Sequence, residues 1–248
     1  MPPITDRAPE ITVAPAGPFD AELARIRAAY ERRGREVPPD LYSDTNPHGA
    51  VFQRELEQRV LKLLSLKLVG ILARQRVLDV GCGEGRWLRA FIQWGASPEN
   101  LAGIDLLPER VGVARGACPP AVGVLCGSAD QIPFEDGSHD IVLCMNVFSS
   151  ILSGELRAAI AAEMLRVLRP GGFVLWYDFF VNNPANPDVR GVGRLEIARR
   201  FPGCDIELAR ITVAAPLGRA IASLPYIYAA LASCRIFCTH YLGWIRKR

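Results

Sequence analysis

The sequence has 248 residues, 50% of them hydrophobic and 22% charged, with 29 Lys+Arg against 26 Asp+Glu and a net charge of +3. So large an apolar fraction excludes a wholly disordered chain, and the length suits one large domain or two small ones. The near-even charge argues against a dedicated nucleic-acid binder, whose basic excess is larger and clustered; the visible basic clusters are only Arg32-Arg33 and Arg246-Lys247-Arg248.

In chain order, residues 1–18 hold Pro2, Pro3, Pro9, Pro15 and Pro18 and read as a flexible leader. No basic segment followed by an apolar stretch opens the chain, so no secretory signal is expected. Asp20 can cap a first helix ending at Gly34. Residues 37–49 read as a loop. A second helix is predicted over 51–72, where Phe52, Leu56, Val60, Leu63, Leu64, Leu68 and Ile71 recur at helical spacing. Residues 19–75 would form an N-terminal helical cover.

From residue 76 short apolar runs alternate with helical segments. The runs are 76–80, 101–105, 122–126, 140–147 and 173–180; the helices are 86–93, 108–114 and 155–168. Runs apolar on both faces belong to a parallel sheet covered on both sides, so 76–248 reads as a doubly wound α/β domain. A helix near 194–201 precedes an alternating strand, 205–213.

Seven cysteines at irregular spacing, with no CxxC pair, point to buried free thiols in a reduced, cytoplasmic protein and not to a zinc site. The apolar stretch 217–245 is interrupted by Arg219, Pro225, Arg235 and His240 and makes a poor membrane span.

The first strand runs into Asp79-Val80-Gly81-Cys82-Gly83-Glu84-Gly85. Glycines there let a ligand approach the backbone at a helix start, but Asp79 and Glu84 would repel a pyrophosphate and attract a cationic ligand. The spacing is also not that of a dinucleotide loop. Asp105 ends the second strand 24 residues beyond Gly81 (105 − 81), near the distance expected of an acid that binds ribose hydroxyls. Gly127-Ser128-Ala129-Asp130 follows the third strand, where an Asp can accept from an adenine amino group.

With Leu165-Arg166-Val167-Leu168-Arg169-Pro170-Gly171-Gly172-Phe173 before the fifth strand, these segments together resemble the class I S-adenosylmethionine-dependent methyltransferases of the small-molecule branch, over about residues 76–180. The resemblance implies a Rossmann-like seven-stranded sheet whose last strand is antiparallel, and S-adenosylmethionine as cofactor. Its cofactor residues fall on Asp79, Gly81, Cys82, Gly83, Gly85, Asp105, Leu106, Ala129, Asp130 and Asn146. The last strand would lie in 239–246, leaving 214–237 as a helical insertion at the ligand edge, an apolar lid containing Leu217, Ile221, Leu224, Tyr226, Ile227, Tyr228, Leu231 and Phe237.

For catalysis the candidates are Asp178 and Tyr177, at the end of the fifth strand, and His48 in the loop before the second helix. Tyr42, Asn182, Asn183, Tyr226 and His240 are candidates for binding the acceptor. His139, at the opposite edge of the fourth strand, is rejected. No metal ligand set is evident. The expected reaction is methyl transfer to a small molecule, at a hydroxyl oxygen of a secondary metabolite or sugar. Carbon methylation of a quinone-like or lipid substrate, and a cofactor-binding protein without turnover, are the alternatives. No nucleic-acid partner is expected. The insertion could instead pack in a homodimer or touch a membrane surface.

Overall fold

The computed structural model describes residues 17–36, 46–184, 186–221 and 224–248. Seven strands form one sheet: β1 (Val77–Val80), β2 (Leu101–Asp105), β3 (Gly123–Cys126), β4 (His139–Met145), β5 (Leu168–Phe179), β6 (Asp205–Val213) and β7 (Cys238–Arg246). Their order is β3-β2-β1-β4-β5-β7-β6. The first five run parallel, and β7 is antiparallel to both β5 and β6. The doubly wound sheet with a reversed last strand is thus as expected.

Strand alternation sends residues to two helical layers. Val77, Ile141, Leu143 and Leu175 face α2 (Pro47–Lys67), α3 (Arg86–Gln93) and α4 (Pro108–Ala117), through Leu56, Val60, Leu88, Phe91 and Ala114. Leu78, Val80, Val142 and Trp176 face α1 (Asp20–Glu36), α5 (Gly154–Val167) and α6 (Arg194–Arg200), through Ile26, Leu156, Ile160 and Ile197. The two N-terminal helices therefore cover opposite faces of the sheet.

Several boundaries differ from expectation. Gly34 does not stop α1; Arg33 and Arg35 in its last turn favour the negative end of the helix dipole, which offsets the roughly 1 kcal/mol that an exposed helical glycine costs. Helix α2 begins at Pro47, an apt first-turn residue, and ends at Lys67. Beyond it Gly70 turns left-handed and Leu72–Arg74 tighten into a 3-10 turn. Strand β4 ends at Met145 because Asn146 takes a positive φ of 59°. Strand β5 starts early, at Leu168, which pairs with His139 ahead of a register shift.

Parallel topology fixes where ligands meet the sheet. The carboxyl ends of β1, β2, β4, β5 and β6 share one edge, and β7 starts there. The expected insertion is present at that edge as α7 (Ala215–Ala220) and α8 (Pro225–Ser233), followed by a 3-10 turn at Arg235–Phe237. Tyr228, Ala232, Leu217 and Leu231 pack on Val213 and on Val51 of α2.

Candidate active site

The cofactor half of the edge is built from the turn after β1. Gly81 holds φ +71°, and a Cβ there would come within 2.6 Å of the Val147 side chain in the loop after β4. Only glycine lets these two loops approach so closely. The amides of Gly81 and Cys82 both donate to the Ile104 carbonyl (2.8 and 3.1 Å), tying the turn to the end of β2. Asp105 accepts from the Gly83 amide at 2.7 Å and the Leu107 amide at 3.0 Å, one on each carboxylate oxygen. Each oxygen keeps a lone pair, and two such acceptors suit a vicinal diol.

Asp79 is the decisive group. It is 1% exposed, and neither carboxylate oxygen has a hydrogen-bond partner. Burial first, and the neighbouring Asp105 charge second, hold its carboxyl well above the usual carboxylate range. A buried acceptor left unmet is costly, so its retention points to a ligand that brings the missing donor. With the glycine turn and Asp105, this fits a cofactor that carries an ammonium, a sulfonium and a ribose.

The other cofactor candidates divide. Cys82 turns its thiol inward against Gly103, and burial pushes the thiol pKa up, so only its backbone belongs to the turn. Gly85 backs onto α4: a Cβ there would meet Cys118 Sγ at 2.9 Å. Leu106 and Ala129 are partly buried beside the α1 face of the core. Asp130 accepts from the Ser128 hydroxyl. Asn146 is exposed, and its amide donates to the Tyr177 carbonyl at 2.6 Å.

On the β5–β7 side, Tyr177 is fully buried, with its hydroxyl 2.9 Å from Thr212 Oγ1, and burial raises its pKa well above the usual phenol value. The His240 ring stacks on Tyr177 at 4.9 Å and 7°, with Phe52 and Phe179 edge-on around it. Burial lowers the His240 pKa to about 4, so the ring is neutral at physiological pH. Asp178 lies on the opposite face of β5. It accepts from the Ser149 amide and its neighbour Phe179's amide, both at 2.9 Å, and burial raises its pKa to about 6. The structure thus joins Tyr177 to His240 and separates Asp178 from both.

The remaining acceptor candidates are scattered. Asn182 is exposed and its Oδ1 accepts from the Gly191 amide at 3.0 Å, closing its own loop. Asn183 is exposed in the same loop. Tyr226 points outward, 90% exposed, whereas Tyr228 points inward and donates to Glu55 Oε2 at 2.9 Å. Tyr42 lies outside the described residues, as does the His48 side chain in the first turn of α2. His139 is buried at the far edge against Phe134. Among the described residues no group of three or more His, Cys, Asp or Glu could hold a metal.

Sequence reasoning passed over Tyr30, Arg110 and Thr212. Tyr30 continues the α1 face formed by Phe19, Leu23 and Ile26, a spacing that was readable. Its ring carries the Arg110 guanidinium 5.5 Å from its centroid, and that guanidinium lies against Gly83. Helix α1 and α4 thereby meet above the glycine turn. Glu22 of α1 reinforces this by accepting from the amides of Leu152 and Ser153 after β4 (2.5 and 3.2 Å). Thr212 holds φ +65°, rare for a β-branched residue, and no sequence signal announces it.

Comparison with known proteins agrees with this geometry. A family model described as "Methyltransferase domain" matches residues 77–172. The chain contains a class I methyltransferase domain. Beyond the matched segment, the chain adds the reversed β5–β7–β6 pairing and the insertion. An uncharacterized methyltransferase of Mycobacterium tuberculosis is 36% identical over 100 residues, covering 40% of this chain and 38% of that one. Phthiotriol/phenolphthiotriol dimycocerosates methyltransferase 1 of Mycobacterium ulcerans is 35% identical over 121 residues (45% and 40%). Malonyl-[acyl-carrier protein] O-methyltransferase of Serratia marcescens is 33% identical over 130 residues (51% and 45%). The chain therefore spans less than half the length of these curated relatives. The PH0226 protein of Pyrococcus horikoshii superposes with a TM-score of 0.61 at 16% identity, covering 88% of this chain and 99% of that one, which speaks to fold alone.

Proposed function

We propose that this chain is an S-adenosylmethionine-dependent methyltransferase that acts on a small molecule carrying a hydroxyl in an apolar frame. The observation that carries the cofactor reading is the pair of unmet Asp79 oxygens beside the glycine turn and Asp105. When bound, the cofactor supplies an activated methyl group on sulfur. Asp105 would take the ribose hydroxyls, Asp79 the cationic end, and Ala129-Asp130 the adenine edge.

The acceptor reading rests on the ring cluster of Tyr177, His240, Phe52 and Phe179 under α2 and the insertion. These rings supply apolar walls and keep water from the reacting atoms. The His240 ring has one partner in Thr239 Oγ1, 3.0 Å from Nδ1. In the tautomer that donates from Nδ1, Nε2 is left to accept from an acceptor hydroxyl. A ring with a pKa near 4 is a weak base, which favours acceptors whose hydroxyl is already acidic, such as a phenol. Asp178, held under the Ser149 amide, acts as a positioning residue for the loop after β4. Two relatives bear on the choice of atom and frame: one is by name an O-methyltransferase, the other names phthiotriol dimycocerosates.

The test is incubation of the full chain with methyl-labelled S-adenosylmethionine and a panel of phenols, sugars, quinones and lipids. Label in the ether product of a phenol supports the reading. Calorimetric binding of the cofactor with no labelled product from any acceptor would instead mark a binding protein, and label on carbon would move the reaction to ring methylation.

A further inference from the structure

Helix α8 carries no charged residue, Pro-Tyr-Ile-Tyr-Ala-Ala-Leu-Ala-Ser. A helix that is apolar all round is normally covered all round. Here Tyr228, Leu231 and Ala232 face the protein, while Tyr226 (90%), Ile227 (48%) and Ala230 face outward. The following 3-10 turn adds Ile236 (76%) and Phe237 (41%), and Leu224 at the helix start adds 46%. Exposed apolar side chains this concentrated mark an interaction surface.

Charge narrows the partner. From residue 208 to the end of the sequence there is no Asp or Glu, and the insertion contributes Arg219 and Arg235. Both arginines are exposed, and neither forms an ion pair among the described residues. A second copy docking through this patch about a twofold axis would set these like charges against each other. Aromatic and aliphatic side chains that protrude, from a segment whose only charged residues are arginines, match the interface of an anionic bilayer, where apolar groups enter the acyl boundary and cations meet the headgroups.

We propose that the α7–α8 insertion seats the protein on an anionic membrane surface, with Tyr226, Ile227, Ile236 and Phe237 entering the bilayer interface and Arg219 and Arg235 meeting lipid phosphates. Among the described residues no helix is long and apolar enough to cross a membrane, so the contact is peripheral. Because the insertion rises from the ligand edge, seating it there turns that edge toward the lipid. The inference does not depend on methyl transfer.

The experiment is co-sedimentation of the full chain with vesicles of phosphatidylcholine alone and of equal parts phosphatidylcholine and phosphatidylglycerol. The expected result is binding to the mixed vesicles, at least tenfold weaker partition to the neutral ones, and weakening by salt. Tyr226→Ser with Ile236→Ser should lower partition at least tenfold while the circular dichroism spectrum is kept. Should that pair unfold the protein, Arg219→Glu with Arg235→Glu should remove the preference for anionic vesicles. Tyr226→Trp should be quenched by brominated lipid beyond the parent chain's own tryptophans. Failure to bind mixed vesicles, binding undiminished by the substitutions, no added quenching, or a concentration-dependent dimer that the substitutions dissolve would each overturn the proposal.

Discussion

The two halves of the ligand edge are built on opposite plans. Around β1 and β2 the edge is lined by carboxylates and backbone amides, with Asp79 left unsatisfied and Asp105 anchored by two N–H groups. Around β5 and β7 it is lined by rings, with Tyr177 already bonded to Thr212 and His240 stacked on it. The first half holds a buried acid that no donor meets; the second has its Tyr177 hydroxyl satisfied, leaves only His240 Nε2 to accept, and offers mainly shape. Under the proposed function, cofactor recognition would depend on a few irreplaceable polar atoms, and acceptor recognition on packing, which tolerates change.

The contrast is broken most severely at Asp105. Two charge-assisted hydrogen bonds to a diol are worth about 3–6 kcal/mol together, so Asp105→Ala should weaken S-adenosylmethionine by about a hundredfold to ten-thousandfold by calorimetry. A variant that binds normally would remove Asp105 from the site. No single change on the ring side should reduce cofactor affinity comparably.

The ring side shows itself instead in the pH dependence of stability. The folded pKa of His240 is depressed to about 4, so the unfolded chain takes up the proton first as pH falls from about 6.5. Its contribution is complete above that pH and is lost on acidification toward 4. The difference amounts to on the order of 3 kcal/mol. His139, also lowered to about 4, adds a loss of the same sign. Asp178, raised to about 6, acts oppositely: its folded form holds the proton more tightly, so it favours the fold on acidification between about 6 and 4. Replacing His240→Phe keeps a ring on Tyr177 and should flatten the acid limb measured by urea unfolding at pH 4.5 and 7. An unchanged limb would mean that His240 titrates normally.

Asp79→Leu separates stability from binding. It removes a buried carboxylate that no donor meets, so the protein without ligand should gain about 1–2 kcal/mol in urea unfolding. Cofactor affinity should fall about a hundredfold, the value of one hydrogen bond to a charged group. Loss of stability alongside normal affinity would make Asp79 structural.

The difference between the halves also governs how much was legible in the sequence. The β1–β2 half is local: Asp79, the glycine turn and Asp105 lie within one βαβ unit, and their spacing alone placed them together. The doubly wound sheet was equally readable from its alternating apolar runs, whereas the reversed β7 was expected only from the family resemblance. The ring cluster is assembled across long sequence separations, from Phe52, Tyr177, Thr212 and His240, so no window contains it. Both Asp178 and Tyr177 end β5, but strand alternation sends them to opposite faces. The lid shows the same limit. Its apolar content was plain, yet which tyrosine faces inward, Tyr228 and not Tyr226, depends on the helix phase set by Val213 and Val51.

The smallest effect sharpens the comparison most. Tyr177→Phe removes only the hydroxyl that meets Thr212 and leaves the ring under His240. Both hydroxyls are buried, so Thr212 loses its partner, and the cost should be about 1–2 kcal/mol. If the ring side works by shape, kcat should stay within about tenfold of the parent and the cofactor Kd should not move. A larger fall in kcat with stability intact would show that the Tyr177 hydroxyl touches the reacting groups. The left-handed Thr212 would then be strain kept for catalysis, since a β-branched residue at φ +65° costs of the order of 1–3 kcal/mol. Thr212→Gly decides between the two: it relieves the backbone but leaves the buried Tyr177 hydroxyl unmet, two effects of similar size and opposite sign, so turnover is the readout, unchanged under the shape reading and lowered under the catalytic one.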